Sequence, residues 1–99
     1  MLLMGIEEIL AKLREMKPLL GERYKVKEIS LFGSFVHGEQ DASSDIDILA
    51  EFDSEADLFD LVGLALYLEE IFQRPVDVIS KKALRTELRE SVLLDAIAV

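Results

Sequence analysis

Apolar spacing along this 99-residue chain predicts an α/β domain: a small three-stranded mixed sheet with flanking helices. Three observations carry that expectation. Ile6, Ile9, Leu10, Leu13, Met16 and Leu20 recur at the period of an amphipathic helix. Three short apolar runs, Val26–Phe32, Asp45–Phe52 and Val76–Ser80, have the length and residue types of strands. A long apolar segment of helical type separates the second run from the third, and a helical crossover makes the strands it joins parallel and adjacent.

Each element has its local signals. Gly21 is expected to end the first helix. Ser34, directly after the first strand, suits the N-cap of one helical turn reaching Gly38, and the polar stretch Glu39–Ser44 reads as a loop. In the second strand Ile46, Ile48, Ala50 and Phe52 share one face, and Asp45 and Asp47 point to the other. The long helix is expected from Asp57 to Phe72, Pro75 opens the third strand, and a last helix spans Thr86 to Ala98.

Residues 1–99 are expected to form one domain with a single modest core, since 51% of the residues are apolar and 31% charged. There is no cysteine, which excludes disulfides, thiolate metal sites and cysteine nucleophiles. The start of the chain lacks a basic region and a small-residue cleavage site, and no uncharged run approaches membrane-spanning length, so a cytoplasmic location is expected. The net charge of −9 offers no basic footprint for generic nucleic-acid binding. Solubility accounts for such acidity, and a basic protein partner would also suit it.

The chemistry is concentrated in residues 33 to 47, GSFVHGEQDASSDID. Gly33 lets backbone approach a phosphate closely, and the amides after Ser34 open a helix N-terminus that favours anions. Asp45 and Asp47, two apart on a strand, present two hard oxygen ligands in one direction. Mg²⁺ prefers such ligands and keeps its other positions for water and phosphate. Asp77 lies on the third strand between Val76 and Val78. With the two strands adjacent it shares a face with Asp45 and Asp47, and three carboxylates converge. Two ions about 4 Å apart at such a cluster could activate an attacking hydroxyl and stabilise a leaving pyrophosphate.

The string GSFVHGEQDASSDIDILAEF resembles the core of the DNA polymerase β-type nucleotidyltransferase superfamily. More narrowly, LFGS, SDIDILAEF and RPVDVIS resemble the minimal nucleotidyltransferases (MNT), which are usually encoded beside a HEPN-domain toxin. The resemblance spans nearly the whole chain and implies the minimal nucleotidyltransferase fold. It implies that Gly33 and Ser34 hold the triphosphate of ATP, that Asp45 and Asp47 bind two Mg²⁺ ions, and that Asp77 binds the catalytic ion and helps deprotonate the acceptor hydroxyl. The implied activity is transfer of AMP from Mg-ATP to a hydroxyl, a tyrosine of the HEPN toxin, by a type VII-like antitoxin. The alternative is an antitoxin that neutralises a HEPN ribonuclease by binding alone. One departure stands out: many relatives have a GSxARG pattern, and here His37 takes the place of the arginine, giving a nucleotide contact that depends on pH. A second departure, Leu84-Arg85-Thr86 in place of Leu-Arg-Pro, alters only a helix start.

Other polar residues have simpler explanations. Ser43 and Ser44 suit a turn before Asp45, and Glu51 and Asp53 read as solvated acids. Arg74, Lys81, Lys82, Arg85 and Arg89 read as scattered surface charge, and Tyr24 and Tyr67 as packing residues. The 57–72 helix is apolar over more than one face, and Val92–Leu94 and Ile97–Val99 add to the excess. A helix on one side of a sheet needs a single apolar stripe. Part of this surface is therefore expected to meet another chain, either a HEPN protein or a second copy in a homodimer.

Overall fold

The computed structural model describes residues 5–33, 45–84 and 86–99. The first helix, α1 (Ile6–Tyr24), buries Ile9, Leu13, Met16 and Leu20, the stripe that the periodicity marks. It runs three residues past Gly21. The αL position that stops it is taken by Lys25 (φ 60°), whose N–H donates to the Gly21 carbonyl at 3.1 Å. Gly21 serves packing instead: a Cβ there would lie 3.2 Å from the Val26 carbonyl oxygen, where the helix end passes the start of the sheet.

Strands β1 (Val26–Phe32) and β2 (Ile46–Phe52) pair antiparallel, with Leu31 opposite Ile48 and Ile29 opposite Ala50. A register shift between Val26 and Glu28 marks a bulge near the start of β1. Helix α2 (Leu58–Phe72) follows, opened by an Asp57–Asp60 capping box: the Asp60 N–H donates to Asp57 Oδ1 at 3.2 Å and the Asp57 N–H to Asp60 Oδ2 at 3.0 Å. The helix returns the chain to β3 (Val76–Ser80), parallel to and beside β2, as the crossover requires.

A 3₁₀ turn (Lys81–Ala83) and helix α3 (Thr86–Asp95) complete the helices. The sheet has four strands, not the three expected. The last helix stops at Asp95, and Ile97–Ala98 form β4, antiparallel to β1, giving the order β3-β2-β1-β4. The physical reason is the open edge of β1. Its backbone groups need partners, and residues 97–99 supply them: the Val99 N–H donates to the Ile29 carbonyl at 3.0 Å. Lys17 Nζ of α1 holds the segment there by donating to the Val99 carbonyl at 2.9 Å. β-Branched Ile97 and Val99 suit that extended pairing better than a helical one.

One face of the sheet carries Ile29, Leu31, Ile46, Ile48, Ala50 and Val76 into a core closed by α1 and by Leu64, Leu68 and Phe72 of α2. No polar or charged residue is buried among the described residues. Alternation then sends Asp47, Leu49 and Glu51 to the opposite face.

Candidate active site

The site begins where β1 ends and where β2 and β3 start. Phe32 pairs with Asp47, and Asp47 pairs with Asp77, so the three side chains form one row across three strands on the face away from the core. Neighbouring strands are about 4.8 Å apart, which brings the two aspartates side by side. The register follows from packing. Ile46 against Val76 and Ile48 against Val78 lie on the core face, so a slip by one residue would turn apolar side chains to water and carboxylates into the core.

Gly33 stands next to Phe32 at φ 83°. A Cβ on it would overlap the Asp47 carboxylate, coming within 2.8 Å of Cγ. Two constraints therefore exclude a side chain at residue 33: the left-handed backbone and the carboxylate seated against it. From the sequence, Gly33 is expected to let backbone approach a phosphate. Its packing against Asp47 arises only from the β1–β2 register and has no signal in the local sequence.

Asp45 lies one residue ahead of β2 and is exposed, as is Asp77 at the outer strand. Among the described residues no three carboxylates are gathered closely enough to hold a metal ion. The backbone aligns two of the three expected ligands, Asp47 and Asp77, and leaves Asp45 at the entry to the strand. Like charges side by side repel, and exposed side chains have room to separate. The donor set nonetheless fits a hard cation: carboxylate oxygens on two adjacent strands, with a glycine that leaves space beside one of them. Ser34, His37, Ser43 and Ser44 fall outside the described residues, as does Arg85.

A cleft among the described residues lies elsewhere, at the far end of β2 and β3. It encloses about 700 Å³ and is lined by Lys27, Glu51, Phe52, Leu58, Leu61 and Lys81 among others. Glu51 is four residues from Asp47 along the strand, roughly 13 Å, so this cleft is separate from the aspartate row. Within it Glu51 lies 3.9 Å from Lys27 and 3.7 Å from Lys81. Asp53 accepts the Glu55 N–H at 2.8 Å, a local turn contact rather than a ligand position. Tyr24 and Tyr67 are packing residues as expected. Their ring centroids are 5.8 Å apart, and the Arg23 guanidinium stands 5.6 and 5.5 Å from the two rings.

Residues 13–99 match the family model described as nucleotidyltransferase domain. Protein adenylyltransferase MntA of Thermococcus cleftensis is 36% identical over 99 residues, covering 100% of both chains. A solved structure described provisionally as a minimal nucleotidyltransferase superposes with a TM-score of 0.83 at 35% identity, over 97% of each chain. A toxin–antitoxin complex with AMP-PNP contains a chain at TM-score 0.68 and 29% identity, covering 91% of this chain and 68% of that one. A complex of an MNT antitoxin with tri-AMPylated HEPN toxin from Shewanella oneidensis matches at TM-score 0.62 and 26% identity, over 88% of this chain and 69% of that one. With the sheet, the crossover and the paired aspartates in register, these likenesses identify the chain as an enzyme of the nucleotidyltransferase family, of the minimal type that includes the MntA protein adenylyltransferases.

Proposed function

We propose that this chain transfers AMP from Mg-ATP to a tyrosine hydroxyl of a HEPN-domain toxin and thereby acts as its antitoxin. The observation that carries the reading is the register pairing of Asp47 with Asp77 beside Gly33. The relative named as a protein adenylyltransferase, and the likeness to antitoxin chains in complexes with AMP-PNP and with an AMPylated HEPN toxin, support the same reading. Residues 1–99 work as one domain, in the cytoplasm. Among the described residues no helix is long and apolar enough to cross a membrane.

In this reading Asp45, Asp47 and Asp77 hold Mg²⁺, and Gly33, Ser34 and His37 contact the nucleotide. The bound cation supplies positive charge against the triphosphate and the departing pyrophosphate. Asp77, exposed on the outermost strand, accepts the proton of the acceptor hydroxyl. The hydroxyl oxygen forms a bond to the α-phosphorus, the bond from that phosphorus to the bridging oxygen breaks, and pyrophosphate leaves. Gly33 keeps the backbone clear so that the Asp47 carboxylate holds its place. Phe32 is its cross-strand neighbour in the row. In this reading the partner completes the acceptor site, and the likeness to antitoxin chains held in toxin complexes supports it.

Incubation with ATP, Mg²⁺ and a purified HEPN partner, followed by intact-mass measurement, tests this. The expected result is a partner heavier by one or more AMP groups and inactive as a ribonuclease. Asp47→Asn should reduce modification at least a hundredfold. Full neutralisation of the partner by that variant, with no mass change, would favour inhibition by docking alone.

A further inference from the structure

The outer side of α2 has no use in the site described above. Leu58 and Phe59 are 70% and 86% exposed, and Val62 and Leu66 are 48% and 61% exposed. At spacings of three, four, seven and eight they form one continuous stripe along the helix. The core is already closed by Leu64, Leu68 and Phe72 on the opposite side of the helix, so the stripe is surplus to folding. Surplus apolar surface of this kind marks an interaction site.

Charge says which kind of partner fits. From Phe52 to Gln73 the chain has six acids, Asp53, Glu55, Asp57, Asp60, Glu69 and Glu70, and no lysine or arginine. This segment alone carries −6 of the net −9. Asp60 is balanced by Lys25 at 3.6 Å, and Glu69 accepts the Val76 N–H at 3.1 Å. Asp53, Glu55, Asp57 and Glu70 remain exposed at the two ends of the stripe. Among the cations around it, Lys25 is engaged with Asp60 and Arg23 stands over the Tyr24 and Tyr67 rings. Lys27 and Lys81, in the cleft beside Leu58, are engaged with Glu51, Lys82 lines the same cleft, and Arg74 follows the helix. A second copy of this chain would set acidic ends against acidic ends or against its own net negative field.

We infer that the Leu58–Phe59–Val62–Leu66 face of α2 is a docking surface for an amphipathic helix of a partner protein, one whose apolar stripe is flanked by lysine or arginine. The apolar row takes the partner's apolar face, and the acids at either end take its basic flanks. The surface lies across the sheet from Asp47 and Asp77. Docking there leaves the aspartate row open, and the inference does not depend on the transferase reading.

A synthetic amphipathic leucine–lysine helix of roughly 18 residues, long enough to be helical alone, is the probe. A scrambled peptide of the same composition is its control. Methyl chemical shifts recorded during titration of the full chain should move at Leu58, Val62 and Leu66. Val62→Ser with Leu66→Ser should weaken binding about tenfold, an effect the circular dichroism of these surface variants separates from unfolding. Glu55→Lys with Glu70→Lys should weaken it similarly and flatten its dependence on salt. Equal binding of the scrambled peptide, shifts centred elsewhere, no binding, or a dimer of the free chain that the serine variants dissolve would each overturn the inference.

Discussion

Gly33 is the residue on which the local geometry turns. It is at once left-handed and in contact with the Asp47 carboxylate, so an added methyl meets two penalties. Gly33→Ala should cost about 1–2 kcal/mol of stability through the backbone term and should move Asp47 off its position in the row. Chemical denaturation checks the first effect. The second appears as a loss of AMP transfer far larger than the change in folded fraction. A variant that transfers AMP at the wild-type rate would show that the position of Asp47 is not constrained by residue 33. Asp60 carries the electrostatic signature of its helix cap. The Asp57 backbone N–H donated to it, helped by nearby Lys25, holds its carboxyl below its ordinary value. A carboxyl lowered on folding stabilises the native state above the ordinary carboxylate range, and that contribution disappears as pH falls through the folded-state value. Thermal midpoints of the wild type and Asp60→Asn should therefore differ slightly at neutral pH and converge in acid. Divergence in acid would contradict the cap geometry.

At the scale of elements, packing decides the register that makes the site. Leu64 of α2 is fully buried against the sheet and anchors the crossover that sets β3 beside β2. Leu64→Ala should cost about 2–5 kcal/mol in urea unfolding. Most of the elements were legible in the chain. Val26–Phe32 and Val76–Ser80 are strands at the limits expected from their apolar runs, and the parallel pairing followed from the intervening helix. The failures have physical causes. Gly21 looks like a stop signal but serves a close approach to Val26. Ile97–Val99 continue the apolar run of a helix, and only the vacant edge of β1, a non-local fact, draws them into a strand. Of the candidate site, the meeting of Asp47 and Asp77 on adjacent strands was legible from the crossover and the strand alternation. The seating of Asp47 against Gly33 was not, because it depends on antiparallel register between segments joined through residues 34–44. Asp45, read as an equal member of the cluster, stands outside the aligned pair.

The whole molecule divides its surfaces by task. One face of the sheet is spent on the core, its reverse carries the aspartate row at one end, and the outer side of α2 carries an apolar stripe in an acidic field. A chain of net charge −9 needs cations to bring a triphosphate near its carboxylates, so nucleotide binding should fail without a divalent ion. The central claim is that Asp47 and Asp77 hold that ion together, next to Gly33. Paramagnetic broadening by Mn²⁺ in the presence of ATP tests it most directly. The amide signals of Gly33, Asp47 and Asp77 should fade together at substoichiometric Mn²⁺, and Asp77→Asn should weaken the effect at all three. Broadening centred on the Glu51–Lys81 cleft, or on Asp45 with Asp77 untouched, would contradict the account.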